Sequence, residues 1–438
     1  MRDVLLALIL LPCIPVSLKY PFVGAMAYAW VSLMNPHRMT WGFAYDMPWA
    51  QMLAIATMAG LLLREPHLIG DSLKRYWLPL LYLAWMTITT LFALEPQDAQ
   101  VRYTEVLKTH VMCFVTLVLL SDKKRVLALA ALVTLSVAFF GVKGGFFTIL
   151  TGGNYLVWGP LHSAIYDNNA LAAGLVVTLP MVYWLYALAP NIWLKLAGLA
   201  SFGFIVASIF GSSSRGAFLA LVIMSGVFFL KAKHKLMVLV LGAFGVAFGL
   251  MMMPEKYWER IQTIQTFQED GSAMGRINTW TTAWRIANDR VMGAGFEYYG
   301  VEVFRRYAPN PEGIHSAHSI YFQALGEHGW IGFLLYAGIL LTFWLRSRTL
   351  IRSFPPAQRA GSEALLARML QVALIGFMVG GAFVNIGNWD FFFYLFVLSA
   401  AMIRLREAEV AKAVEARPSF TRGRMPGAMT HASRGPSV

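Results

Sequence analysis

Two arginines and two histidines stand out as residues able to do chemistry. Arg215 lies in Gly211-Ser212-Ser213-Ser214-Arg215-Gly216, where an apolar run begins. A guanidinium suits a phosphate because its donors form a planar fork. The serines and glycines around it leave room for a ligand. A snorkelling arginine at a membrane edge is the plain alternative. Arg276 follows Gly275 and precedes Trp280 and Trp284. On a helix these three fall at i, i+4 and i+8, on one face. Two tryptophans on one face suit a helix lying at the membrane interface, where Arg276 would meet a lipid-linked anion. A solvated surface arginine fits the pattern as well.

His318 and His315 are the candidate proton acceptors, in His315-Ser316-Ala317-His318-Ser319. A lone histidine is usually structural. Its unperturbed pKa nevertheless suits general-base work near neutral pH. Ser316 is a candidate cap for a helix that places His318 in its first turn. Two histidines at i and i+3, with His328 nearby, raise the question of a metal. No Cys or HExxH-type partner accompanies them, so no metal site is expected. The chain also lacks an Asp-x-Asp string for holding a diphosphate through a cation. Asp390, in Asn388-Trp389-Asp390, could pair with an arginine or orient the histidine, and a structural ion pair fits it equally well. Asp167 is a weaker case of the same kind.

These residues need a scaffold, and the composition says which. The chain has 438 residues, 58% hydrophobic and 13% charged. Soluble domains carry about 25% charged residues. Apolar runs of roughly 17–20 residues recur, each long enough to cross a bilayer. The expected fold is an all-α polytopic membrane protein with about 12 transmembrane helices, the first two runs being two short spans or one broken helix. A transmembrane barrel would need short alternating strands. The net charge of +13 lies in short loops, so membrane topology explains it better than nucleic acid does. Cys13 and Cys113 lie inside apolar runs and carry no disulfide framework.

Lys and Arg concentrate in alternate loops: Arg64 to Arg75, Lys123 to Arg125, Lys231 to Lys235, Arg346 to Arg359, and Arg404 with Arg406. These loops are expected to be cytoplasmic. Residues 1–253 then form transmembrane helices with short loops. Residues 254–328, with nine acids against seven Lys and Arg, form one large periplasmic loop of short helices. Asp270 or Ser272 is placed to cap one of these, from about Ala273 to Asp289. Residues 329–405 return to the membrane, and 406–438 form a cytoplasmic, mostly disordered tail.

The ordered set Ser214-Arg215-Gly216, Gly275-Arg276 with Trp280, Gly293-Ala294-Gly295, and Ala317-His318-Ser319 with Glu327 and Gly329 resembles the O-antigen ligase superfamily of ligases and polymerases. The resemblance covers about residues 125–405. The stretch Ser32 to Arg38 and Trp41 to Asp46 looks like the branch of exosortase-associated O-glycosylation ligases. The resemblance implies an enzyme of the bacterial inner membrane with its site on the periplasmic face. Its donor would be a glycan on undecaprenyl diphosphate, and its acceptor the lipid A-core saccharide. Transfer would be en bloc and inverting, without metal or cofactor. Carried over, His318 would be the general base, Arg215 and Arg276 the diphosphate binders, and Asp390 an accessory acid. His315 fits the family string less well. A polymerase or a protein O-glycosylation ligase would use the same donor chemistry. A lipid-linked glycan transporter is the reading from a different class, but transporters tend to place charges near the midplane and show inverted repeats.

The loop charges predict that a Ser272→Cys variant is labelled by an impermeant thiol reagent in intact cells. Labelling only after lysis of the inner membrane would reverse the orientation.

Overall fold

The computed structural model describes residues 1–231 and 271–415, and every long element among them is an α-helix. In chain order these are α1 (Arg2–Lys19), α2 (Pro21–Met34), α3 (Trp49–Arg64), α4 (Ile69–Leu91), α5 (Pro96–Leu119), α6 (Lys123–Leu150), α7 (Asn168–Leu188), α8 (Ile192–Gly211) and α9 (Arg215–Lys231). After the undescribed stretch come α10 (Gly271–Asp289), α11 (Val301–Tyr307), α12 (Ile320–Ser353), α13 (Ser362–Gly380) and α14 (Asp390–Glu415). Each apolar run within the described residues has become a helix. That follows from the solvent: away from water, a helix satisfies its own backbone groups.

The chain is a helical membrane protein, and among the described residues five helices are long and apolar enough to cross a bilayer: α6, α7, α8, α12 and α13. The bent pair α3 and α4, broken at 93°, makes a sixth if it is one span. Other helices miss that measure for visible reasons. α2 has only 14 residues, and α14 carries Asp390 at one end with Arg404 and Arg406 at the other. The expected total of about 12 therefore exceeds what length and composition establish. The first two runs are two helices, separated at Tyr20, where the backbone leaves the helical region at φ −129°, ψ 79°. The apolar run 236–253, Lys233, Lys235, Asp270 and the tail 416–438 lie outside the described residues.

α7 is central. Its first turns are small residues, Ala170, Ala172, Ala173 and Gly174, and all are buried. Small side chains let helix backbones approach closely without a strong apolar driving force. α8 is peripheral and exposes Ile192 and Trp193.

The loops sort into two ends, as the charge pattern requires. At one end Lys123 pairs with Glu409 and Glu363 (2.6 and 2.9 Å), Arg75 with Glu407 (2.7 Å), and Arg125 with Glu65 (3.6 Å). Arg404 donates to the Leu120 carbonyl there (2.6 Å). At the other end Leu94 N–H donates to Ala294 O (2.8 Å), Asn168 to Ser212 O (2.7 Å), and Asp3 accepts from Gly42 and Ala44.

Two local expectations are corrected. Ser316 does not cap the helix; Ser319 precedes it, and α12 starts at Ile320. His318 therefore lies outside the first turn, with a left-handed backbone at φ 43°. Trp280 stacks on Phe322 at 4.8 Å and donates to Ala317 O (2.7 Å), whereas Trp284 is half exposed. The tail is helical as far as Glu415.

α12 is broken at Gly329, whose φ 66°, ψ −170° is open almost only to glycine. A break strips carbonyls of their helical donors, and in an apolar setting each needs another. Gly326 O accepts from Ala294 N–H (2.9 Å) and Glu327 O from Gly295 N–H (2.8 Å). His328 O accepts from the Trp85 indole (2.8 Å). The approach is so close that a Cβ on Gly329 would sit 2.3 Å from Val291 O. Gly329→Ala should therefore lower the thermal midpoint in detergent, since the conformation alone costs about 1–3 kcal/mol. Gly203→Ala is the control. It meets nothing within 4 Å and should be neutral or stabilising. Equal midpoints would show that the break is not held in this way.

Candidate active site

α10 is the bench on which the histidine segment lies. Asn278 donates to Asn310 O (2.8 Å) and Gly313 O (2.9 Å), and accepts from Asn310 N–H (2.8 Å). Next to it, Thr279 Oγ1 is 3.0 Å from His315 O, and Trp280 holds Ala317 O. Gly275 lets the segment come down: a Cβ there would be 2.5 Å from the His315 ring. The segment's far end is fixed by Ser319 N–H, which donates to Asn385 Oδ1 (3.1 Å). His318 sits between these anchors, half-buried.

Arg215 is positioned by a different device. The α8 helix ends at Gly211, and Ser213 takes a left-handed φ of 54° to turn the chain. Ser214 then caps α9, its Oγ accepting from Ala217 N–H (3.3 Å), so that Arg215 is the first helical residue. Asn168, in the first turn of α7, ties this turn down through Ser212 O.

A short turn between α13 and α14 brings the two devices together. Phe383 packs on Gly216, Ile320 on Gly381, and Ala173 on Gly380. Residues 380–385 thus touch α9 beside Arg215, α12 beside His318, and α7 near its start. Arg276, Asp167 and His315 are the charged or titratable groups that act on His318. Burial lowers its pKa first, Arg276 and His315 lower it further, and Asp167 opposes them. Below its ordinary 6.5, the ring is neutral and able to accept a proton at pH 7. Arg215, Arg276, Asp167 and His318 are all half-buried, reachable by a ligand but partly withdrawn from bulk water.

The other sequence candidates differ in placement. Asp390 accepts from Ser32 and from Thr109 (2.8 Å), on α2 and α5. His315 is exposed. Glu327 and His328 are fully buried at the break in α12, with His328 Nδ1 2.8 Å from Thr89 Oγ1. Among the described residues no three His, Cys, Asp or Glu side chains group as metal ligands. Sequence reasoning gave little weight to Asp167 and none to Asn385. Asp167 had one readable signal, an acidic residue directly before an apolar helical run.

A family model described as O-antigen ligase matches residues 200–337. That stretch holds Arg215, Arg276 and His318, and it ends beyond the break at Gly329. A second model, of a family of unknown function, matches residues 1–189 and includes Asp167. Asp390 falls outside both matches. No curated protein matches the chain. Over residues 200–337 the chain is therefore similar to the O-antigen ligase family.

Proposed function

We propose that this protein transfers a glycan en bloc from undecaprenyl diphosphate to a saccharide acceptor, the lipid A-core, on the periplasmic face of the inner membrane. The observation that carries this reading is the half-buried His318, with Arg276 acting on it, and with Arg215 next to Gly216, which packs on the same 380–385 turn that holds Ser319. An acceptor hydroxyl is a poor nucleophile and needs a base. As its oxygen bonds to the anomeric carbon, its proton passes to His318. The bond from that carbon to the diphosphate breaks, and its electron pair leaves with the undecaprenyl diphosphate. Arg215 and Arg276 stabilise that charge, so the leaving group needs no proton. Attack opposite the leaving group inverts the anomeric centre.

The test is transfer by purified protein from a lipid-linked glycan to lipid A-core. His318→Ala should fold and bind donor, yet lose roughly 10²–10⁴-fold in rate. His315→Ala should keep a substantial part. Arg215→Lys and Arg276→Lys should both be impaired, since an ammonium cannot reproduce the fork. A chelator should leave the rate unchanged. Near wild-type turnover in His318→Ala would overturn the assignment, and loss of transfer on chelation would point to a metal instead.

A further inference from the structure

We propose that Glu327 and His328 form a neutral, proton-sharing latch across the break in α12, and that this latch holds the start of the helix, and with it His318, in place for transfer. The latch is read from the break itself. Only its effect on transfer rests on the function proposed above.

Both side chains are fully buried, and each reaches a different neighbour. Thr89 Oγ1 on α4 lies 3.0 Å from Met86 O and 2.8 Å from His328 Nδ1. A threonine hydroxyl within a helix donates back to a carbonyl of the preceding turn. With its one proton so used, Thr89 accepts from His328 Nδ1–H. The neutral ring then has a bare lone pair on Nε2. On the other side chain, Glu327 Oε1 accepts from Gln323 Nε2 (3.3 Å) and from Glu297 N–H (3.5 Å). With Oε1 facing two donors, the carboxyl proton belongs on Oε2. Oε2 and Nε2 are 3.7 Å apart, and neither has a hydrogen-bond partner among the described residues. The last torsion of a glutamate is soft, so a small turn of the carboxyl brings Oε2–H onto Nε2.

The surroundings favour a neutral pair. Phe296 and Tyr82 stand edge-on to the imidazole, with ring centroids 4.6 and 5.8 Å away. Tyr298 and Tyr299 lie on the Glu327 side. Arg102 of α5 and Glu297 are the charged groups that face Glu327. Arg102 is already met by Glu105 (2.7 Å) and by Glu297 itself (3.9 Å). An ionised Glu327 would be a buried charge facing a neutral ring, far costlier than a neutral acid that donates to it.

The pair spans the fault in the helix. Residues 327 and 328 come directly before Gly329, where the helical backbone is interrupted. Their side chains bind α12 to α4 at Thr89 and to the segment after α10 at Glu297. Their carbonyls bind the same two stretches through Trp85 and Gly295. Ile320, where α12 starts, is about two turns away, and His318 lies just before it. Loss of the shared proton would leave a bare charge at the break. Opening the break to water would solvate that charge and shift the segment that carries the base.

Infrared difference spectra of purified protein at pH 7 read the proton, and transfer reads its use. Wild type minus Glu327→Gln should leave a protonated-carboxyl band, since carboxyls common to both proteins cancel. Glutamine copies the neutral acid: its oxygen accepts from Gln323 and Glu297 N–H, and its amide donates to Nε2. Glu327→Ala strands those buried groups and should lose roughly 10-fold in kcat, most of which Glu327→Gln should recover. His328→Asn keeps a partner for Thr89 but removes Nε2, so its difference from wild type should show the carboxyl band displaced. That displacement carries the test if Glu327→Gln does not fold. No carboxyl band in either difference would overturn the latch. A folded Glu327→Gln as slow as Glu327→Ala would overturn it too, because the charge itself would then be needed. Wild-type transfer by Glu327→Ala would overturn the positioning role. If the band is found while His318→Ala transfers normally, the latch stands and the base assignment fails.

Discussion

The structure depends on the carbonyls released where α12 breaks at Gly329. In water they would be solvated at little cost. In an apolar bundle each unsatisfied carbonyl costs several kcal/mol. The chain meets this by bringing Ala294 and Gly295 N–H to Gly326 and Glu327, and the Trp85 indole to His328. Those bonds tie two separate stretches, α4 and the turn after α10, to α12. Leu94 N–H then bonds Ala294 O, which adds the α4–α5 connection. The start of α12 is thereby held from behind, and the start of α12 is what presents His318.

A second constraint works from the front. The turn 380–385 has no chemistry of its own, yet it touches the helices that open with Arg215, Asn168 and Ile320. Helix starts are good places to put reactive groups, because rigid backbone begins there and cap bonds fix direction. Arg215, Asp167 and His318 each sit within two residues of such a start. Their geometry is set by helix packing and not by loop flexibility. Two of the left-handed residues, Ser213 and His318, mark where the chain bends to reach these positions. Non-glycine residues tolerate that conformation only when their surroundings impose it.

Much of the fold was legible because it is local. An apolar run in an apolar solvent must be a helix, and alternate basic loops must share an end. The Lys123, Arg75 and Arg125 pairings bear that sorting out. The site residues were legible by type, since few side chains suit phosphate or proton chemistry. Their arrangement was not. Ser316 and Ser319 look alike as caps, and the bond from Ser319 N–H to Asn385, far along the chain, coincides with the choice between them. Nothing near Trp280 in the sequence marks its stack on Phe322 or its bond to Ala317 O. Gly329 is one of 37 glycines, and nothing beside it marks a break. Asp167 and His318 belong to stretches matched by different family models, so no single motif contains both.

The central claim is that one anionic donor site lies at the end of the bundle away from the Lys123–Glu409 cluster, beside His318. An experimental structure with an undecaprenyl-diphosphate-linked glycan bound tests it most directly. The account predicts the diphosphate between Arg215 and Arg276, with the anomeric carbon facing His318 across a gap wide enough for an acceptor hydroxyl. A diphosphate seated at the opposite end, or touching neither arginine, would contradict it.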